Sequence, residues 1–208
     1  NIQDAIKDYS SAEDLQPDNS DIYYSRGQLE LKLKKYNLAL DDFNKAILLK
    51  KKDAKLYVAR GTVYDCQNQY DEAIKNYELA MKYKRHYSKA FVNRGIVKDE
   101  LQNYKGAIED YDKAIKYDKY ASDAFYNKAL TLCKLEKYDE AIKNYTSAIN
   151  LDINYEQAYL HRGLTYVILQ KNDEAKRDFL KTMDINPANK EARENLAKVR
   201  KEESENQK

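Results

Sequence analysis

Hydrophobic and polar positions along this chain follow a rhythm of 34 residues, without insertion or deletion from one cycle to the next. Slots can be counted from Ser20, Ala54, Ser88, Ser122 and Glu156. The fourth slot is then always aromatic: Tyr23, Tyr57, Phe91, Phe125, Tyr159. The eighth is small: Gly27, Gly61, Gly95, Ala129, Gly163. The twentieth is alanine at Ala39, Ala73, Ala107, Ala141 and Ala175, and the twenty-fourth is aromatic at Phe43, Tyr77, Tyr111, Tyr145 and Phe179. The twenty-seventh is Ala46, Ala80, Ala114, Ala148 and then Thr182. Such register marks an array of repeats rather than one globular core. Within each cycle the pattern predicts two helices of about 14 residues joined by a short polar turn.

The array therefore divides into repeats at 20–53, 54–87, 88–121, 122–155 and 156–189. Residues 1–19 read as the second helix of a leading repeat whose first helix is missing, with Ile2, Ala5, Ile6, Tyr9 and Ala12 as its apolar stripe. That beginning, without a methionine, is what a piece of a longer protein would show. Residues 190–200 form a last helix, with Ala192, Leu196 and Val199 on one face and a polar outer side that caps the stack. Residues 201–208 contain no apolar side chain and are expected to fray.

The small, aromatic, alanine, aromatic, alanine order at this spacing resembles the tetratricopeptide repeat family, and the resemblance covers nearly the whole chain. It implies an all-α fold, a right-handed superhelical array of helix-turn-helix repeats (an α-solenoid). It also implies a non-catalytic scaffold that binds a peptide segment of a partner protein in a concave groove. Departures are modest: Asn172 stands where Tyr36, Tyr70, Tyr104 and Tyr138 stand earlier, and the repeat-end proline survives only as Pro17 and Pro187.

At 100° per residue, slots 3, 4, 7, 8, 10, 11 and 14 of the first helix share the packing side. Slots 2, 5, 6, 9, 12 and 13 share the opposite side, which in the family lines the groove. The first three repeats give that side a largely polar floor, including Thr62, Asp65, Lys89, Asn93 and Glu100. The last two give it Tyr126, Asn127, Leu130, Cys133, Leu160, His161, Leu164, Val167 and Ile168, read as an exposed apolar patch for a partner. The competing reading is that the tail, or another segment, lies over that patch. Asn93 and Asn127 share a slot in neighbouring repeats, and each amide offers a donor and an acceptor for an extended backbone. The expected peptide-binding residues are thus Asn93, Asn127, Tyr126, Leu130, Leu160, His161, Leu164 and Lys89. The clamp with which chaperone-binding members grip a C-terminal carboxylate cannot be assembled: its first Lys/Asn pair would need slots five and nine, and no repeat has it.

The slot before the small residue is basic throughout: Arg26, Arg60, Arg94, Lys128, Arg162. A buried guanidinium needs a partner, and one slot of the second helix is always Asp or Asn: Asp42, Asn76, Asp110, Asn144, Asp178. Those two series are expected to pair.

A net charge of +2, from 37 basic and 35 acidic residues, argues against a nucleic-acid footprint. No run of 18 apolar residues is present to insert into a membrane. Cys66 and Cys133 lie two repeats apart, too far for a disulfide, so free thiols and a cytoplasmic setting are expected. Two histidines, five glycines and no phosphate-cradling motif leave no metal, cofactor or catalytic constellation to expect. Two alternatives stand beside the scaffold: self-assembly, with end-to-end homodimers through the open N-terminal edge, or a substrate-recruiting arm of a larger enzyme.

Overall fold

The computed structural model describes residues 1–206. The described residues form twelve α-helices joined by short turns. α1 is Ile2–Leu15, α2 Ser20–Lys32, α3 Tyr36–Leu49, α4 Ala54–Cys66, α5 Tyr70–Tyr83 and α6 Ser88–Glu100. α7 is Tyr104–Tyr117, α8 Ser122–Lys134, α9 Tyr138–Leu151, α10 Glu156–Ile168, α11 Asn172–Ile185 and α12 Lys190–Asn206. The helices α2, α4, α6, α8 and α10 begin at the five residues from which the sequence period was counted.

The chain forms two compact units, Asn1–Asn103 and Tyr104 onwards. In the first, α1 to α6 pack each against the next, and α4 also touches α2 and α6. In the second, α7 to α12 pack likewise, and α10 also touches α8 and α12.

The cores follow from the small and aromatic slots. At Gly61 an added Cβ would stand 2.7 Å from Tyr77 Cε1, and at Gly27 and Gly163 it would stand 2.8 Å from the rings of Phe43 and Phe179. At these three positions the ring of the second helix closes on the glycine of the first and leaves no room for a Cβ. Phe43, Tyr77, Tyr111, Tyr145 and Phe179 are the largest fully buried side chains. Burying each contributes on the order of 2–3 kcal/mol.

Each first helix ends in the same way. The residue after its C-cap takes a left-handed φ of 58–59° at Lys34, Asn68, Gln102, Glu136 and Gln170, and none of the five is glycine. In the first of these turns Lys35 N donates to Glu30 O at 2.8 Å and Lys34 N to Leu31 O at 2.9 Å, and the other four repeat the pattern. These are the two bonds of the Schellman motif, which satisfy carbonyls the helix end leaves unpaired.

The basic series pairs as expected at three positions. Arg26 grips Asp42 through Nε and Nη2, both at 2.7 Å; Arg60 Nε donates to Asn76 Oδ1 at 2.8 Å; Arg162 grips Asp178 with two bonds of 2.8 Å. Each base also reaches back to the preceding second helix: Arg26 to Ser10, Arg60 to Asn44, Arg94 to Glu78, Lys128 to Asp112 and Arg162 to Thr146. Arg26, Arg60 and Arg162 thus each tie three helices together. The expected pairing of Lys128 with Asn144 is replaced by Asp112 at 2.6 Å, while Asn144 Nδ2 donates to Glu140 O. An ammonium gains more from a carboxylate than from an amide oxygen.

The last helix runs past Arg200 to Asn206, where fraying was expected to have begun. Lys190–Glu194 and Lys201–Glu205, each four apart, place opposite charges on one helical face. Residues 207–208 of the expected tail lie outside the described residues. No helix among the described residues is long and apolar enough to cross a membrane.

Candidate peptide-binding face

A first helix inside such a stack has more than two surroundings. It meets its own second helix, the preceding second helix and the neighbouring first helices. Slots five, nine and twelve turn out to look along the last of these directions. Val58 and Val92 are buried there, and Tyr24 packs in the same core.

That geometry corrects the expected apolar patch. Leu160 is only 6% exposed, and it packs with Leu164 and Val167 against Ala192, Leu196 and Val199 of α12. The C-terminal helix covers these leucines, so neither Leu160 nor Leu164 is a free anchor for a partner. A wheel divided into two halves assigned them to the groove because it left out the contact between adjacent first helices. Leu130 and Cys133 are similarly half-buried, in a cluster with Tyr145 and Ile108.

Tyr126 and His161 are brought together. Tyr126 Oη lies 3.3 Å from His161 Nδ1, and the rings meet edge-on at 5.7 Å. Tyr155, from the turn before α10, lies tilted against Tyr126 with ring centres 5.0 Å apart and donates its hydroxyl to Asp123 Oδ1 at 2.8 Å. Burial, then that bond, pushes the Tyr155 hydroxyl well above its ordinary pKa. The first unit solves the same problem with a cation. There Lys55 Nζ sits 4.6 Å from the centre of the Tyr24 ring and 3.1 Å from Asp21 Oδ1. Tyr155 therefore takes the place of Lys55: a ring replaces the cation over the tyrosine, and a hydroxyl replaces the ammonium on the aspartate. The sequence reading did not include Tyr155, although its aromatic position just before the repeat start offered the signal.

Asn127 Nδ2 donates to Asp123 O at 2.8 Å, in its own helix, and Asn93 Nδ2 donates to Thr62 Oγ1 at 3.2 Å, on the neighbouring helix. Both side chains are half-buried, with His161 in the matching slot of the next repeat, and Lys89 is exposed. Lys89 and Asn93 belong to the first unit, and Tyr126, Asn127, Leu130, Leu160, His161 and Leu164 to the second.

In the first unit the floor around Asn93 also contains Thr62, Asp65 and Glu100. Thr62 Oγ1 donates to Val58 O at 3.0 Å. Burial, and secondarily the charge of Glu100, lifts the Asp65 carboxyl to about 6. Cys66, exposed beside it, is a free thiol, as is the half-buried Cys133. Burial and the Asp65 charge push the Cys66 thiol up, so it is a poor nucleophile at neutral pH.

Family models for the tetratricopeptide repeat match residues 20–53, 54–87, 88–120, 110–143 and 156–189, and a TPR repeat model matches 129–169. The chain belongs to the tetratricopeptide repeat family. Solved tetratricopeptide structures agree in fold. YrrB, described as a TPR protein with an unusual peptide-binding site, matches with a TM-score of 0.60 and 22% identity, over 88% of this chain and 95% of that one. MamA matches with 0.64 and 20%, over 81% of this chain and 92% of that one. Yeast Tom70 matches with 0.82 and 21%, over 97% of this chain but 43% of its own length. No curated protein matches the chain in sequence.

Proposed function

We propose that this chain is a non-catalytic protein-interaction module, and that the outward face of its first helices receives an extended peptide segment of a partner protein. The observation that carries this reading is that each unit holds half-buried polar side chains in the same slot of its first helices. In the first unit Asn93 is bonded to Thr62 on the neighbouring first helix, and in the second Asn127 and His161 are each bonded to a backbone carbonyl one turn back in their own helix. An amide held by one hydrogen bond is fixed in direction, and its oxygen keeps acceptor capacity for a peptide N–H. Lys89 lies one turn before Asn93 on α6, and Tyr126 directly precedes Asn127 on α8. The YrrB likeness supports the same reading, since that protein has a peptide-binding site on the same kind of fold.

Selection from a random nonapeptide display library, followed by amide NMR of the labelled chain with a selected peptide, tests it. Shifts concentrated at Asn93, Asn127 and His161 support the face. Shifts confined to the second helices α3, α5, α9 and α11 would refute it.

A further inference from the structure

On the first helices several carboxylates placed in the floor or at its edge are answered by a donor. Asp21 receives Lys50 at 3.0 Å and Lys55 at 3.1 Å. Asp123 receives the Tyr155 hydroxyl, and Asp99 is engaged as well. The exposed Glu100 has no hydrogen-bond or ion-pair partner among the described residues, and neither has Asp65, half-buried near the end of α4. Its one charged neighbour of note is another acid, Glu100 at the end of α6, across the contact between those helices.

A second observation comes from beneath the floor. Tyr77 is 0% exposed, and its Oη is a buried polar atom with no hydrogen-bond partner. It lies beside Thr62, Asn93, Asp65 and Cys66, close enough to feel each electrostatically, yet neither Thr62 nor Asn93 meets hydrogen-bond geometry with it. Burying a hydroxyl unpaired carries a cost of about 1–3 kcal/mol. The fourth repeat shows the closed version of this arrangement. There the matching slot holds Cys133, whose Sγ lies 3.7 Å from Tyr145 Oη and 3.4 Å from Thr165 Oγ1. Neutral there and satisfied from inside, the place in the second repeat is acidic and unanswered.

Two unpaired carboxylates, with the amide oxygen of Asn93 beside them, are acceptors awaiting donors, and the unpaired Tyr77 hydroxyl below shows that the protein does not fill this place from inside. A lysine ammonium or an arginine guanidinium is all donor, and opposite charge at this spot would offset the desolvation of Asp65. We infer that Asp65 and Glu100, with Asn93 beside them and Tyr77 beneath, receive a lysine or arginine side chain of the bound peptide. The inference rests on the peptide-binding reading above and names the chemistry of its ligand.

The test selects random nonapeptides on the intact chain, then measures the best binder against the chain and against Asp65→Asn/Glu100→Gln. The selected peptides should share a basic residue. Replacing that residue with glutamine should weaken binding about tenfold or more, as should the protein variant, and the two losses should not add. The peptide-side replacement is read on the unaltered chain, so it stands even if the variant folds poorly. Selected peptides without a common base, or equal affinity for both proteins, would overturn this inference and leave the peptide-binding reading intact. Recovery of no peptide at all would overturn both.

Discussion

Arg162 on α10 holds both carboxylate oxygens of Asp178 on α11, each at 2.8 Å, while its third nitrogen donates to Thr146 on α9 at 2.8 Å. The two charged side chains are 14% and 7% exposed, so the pair is largely withdrawn from water. Its value lies in being complete. Removing one partner leaves a buried charge uncompensated, which costs about 3–5 kcal/mol, whereas replacing both by apolar groups can be neutral. Asp178→Ala should therefore lower stability by about 3 kcal/mol in urea titration, and Arg162→Met combined with Asp178→Leu should recover much of that loss. Equal destabilisation by the single and the double change would show that the loss does not come from leaving one charge unpaired.

Glu30 offers a pH-dependent counterpart. It is 6% exposed, its Oε2 has no hydrogen-bond partner, and burial, with the charge of Asp42 adding to it, lifts its carboxyl to about 7. The folded chain thus holds a proton that the unfolded chain releases nearer 4.5. Stability from this group is present below that value and declines as pH rises to about 7. Leu132 occupies the matching slot of the fourth repeat, fully buried. Glu30→Leu should gain on the parent as pH rises, the difference widening by on the order of 2 kcal/mol between pH 5 and 8. A difference that stays constant across that window would contradict the assignment.

The left-handed turns are a reserve of stability. Glu136 at φ 58° carries a side chain where glycine is the unstrained choice, and Asn68, also at 58°, is better tolerated there. Glu136→Gly should stabilise by about 0.5–1 kcal/mol, and Asn68→Gly by less, since glycine also widens the unfolded ensemble. Thermal unfolding of the two variants side by side checks the order.

The contact of α12 with Leu160 and Leu164 separates packing from recognition. Leu196→Ala removes the side chain that meets them, at a cost of about 2–4 kcal/mol. Leu164→Glu should likewise lower the melting temperature, a structural effect that a surface anchor would not show. If Leu164→Glu melts with the parent, that leucine is free after all.

What the sequence by itself determined is everything local and periodic. The 34-residue register placed the helix starts at Ser20, Ala54, Ser88, Ser122 and Glu156, because small and aromatic residues can interlock only in that order. The pairing of Arg26 with Asp42, Arg60 with Asn76 and Arg162 with Asp178 was legible too, since each couple repeats sixteen residues apart and a buried guanidinium must be answered. Tertiary structure decided what lies between repeats. Leu160 looks like a surface leucine on a single helix and becomes core only once α12 packs against α10. Tyr155 replaces Lys55 as the partner of an aspartate from outside the helix that sequence reasoning was following. The solitude of Asp65 is of the same kind: a carboxylate's partners are set by what distant residues bring to it, and no period in the chain records that.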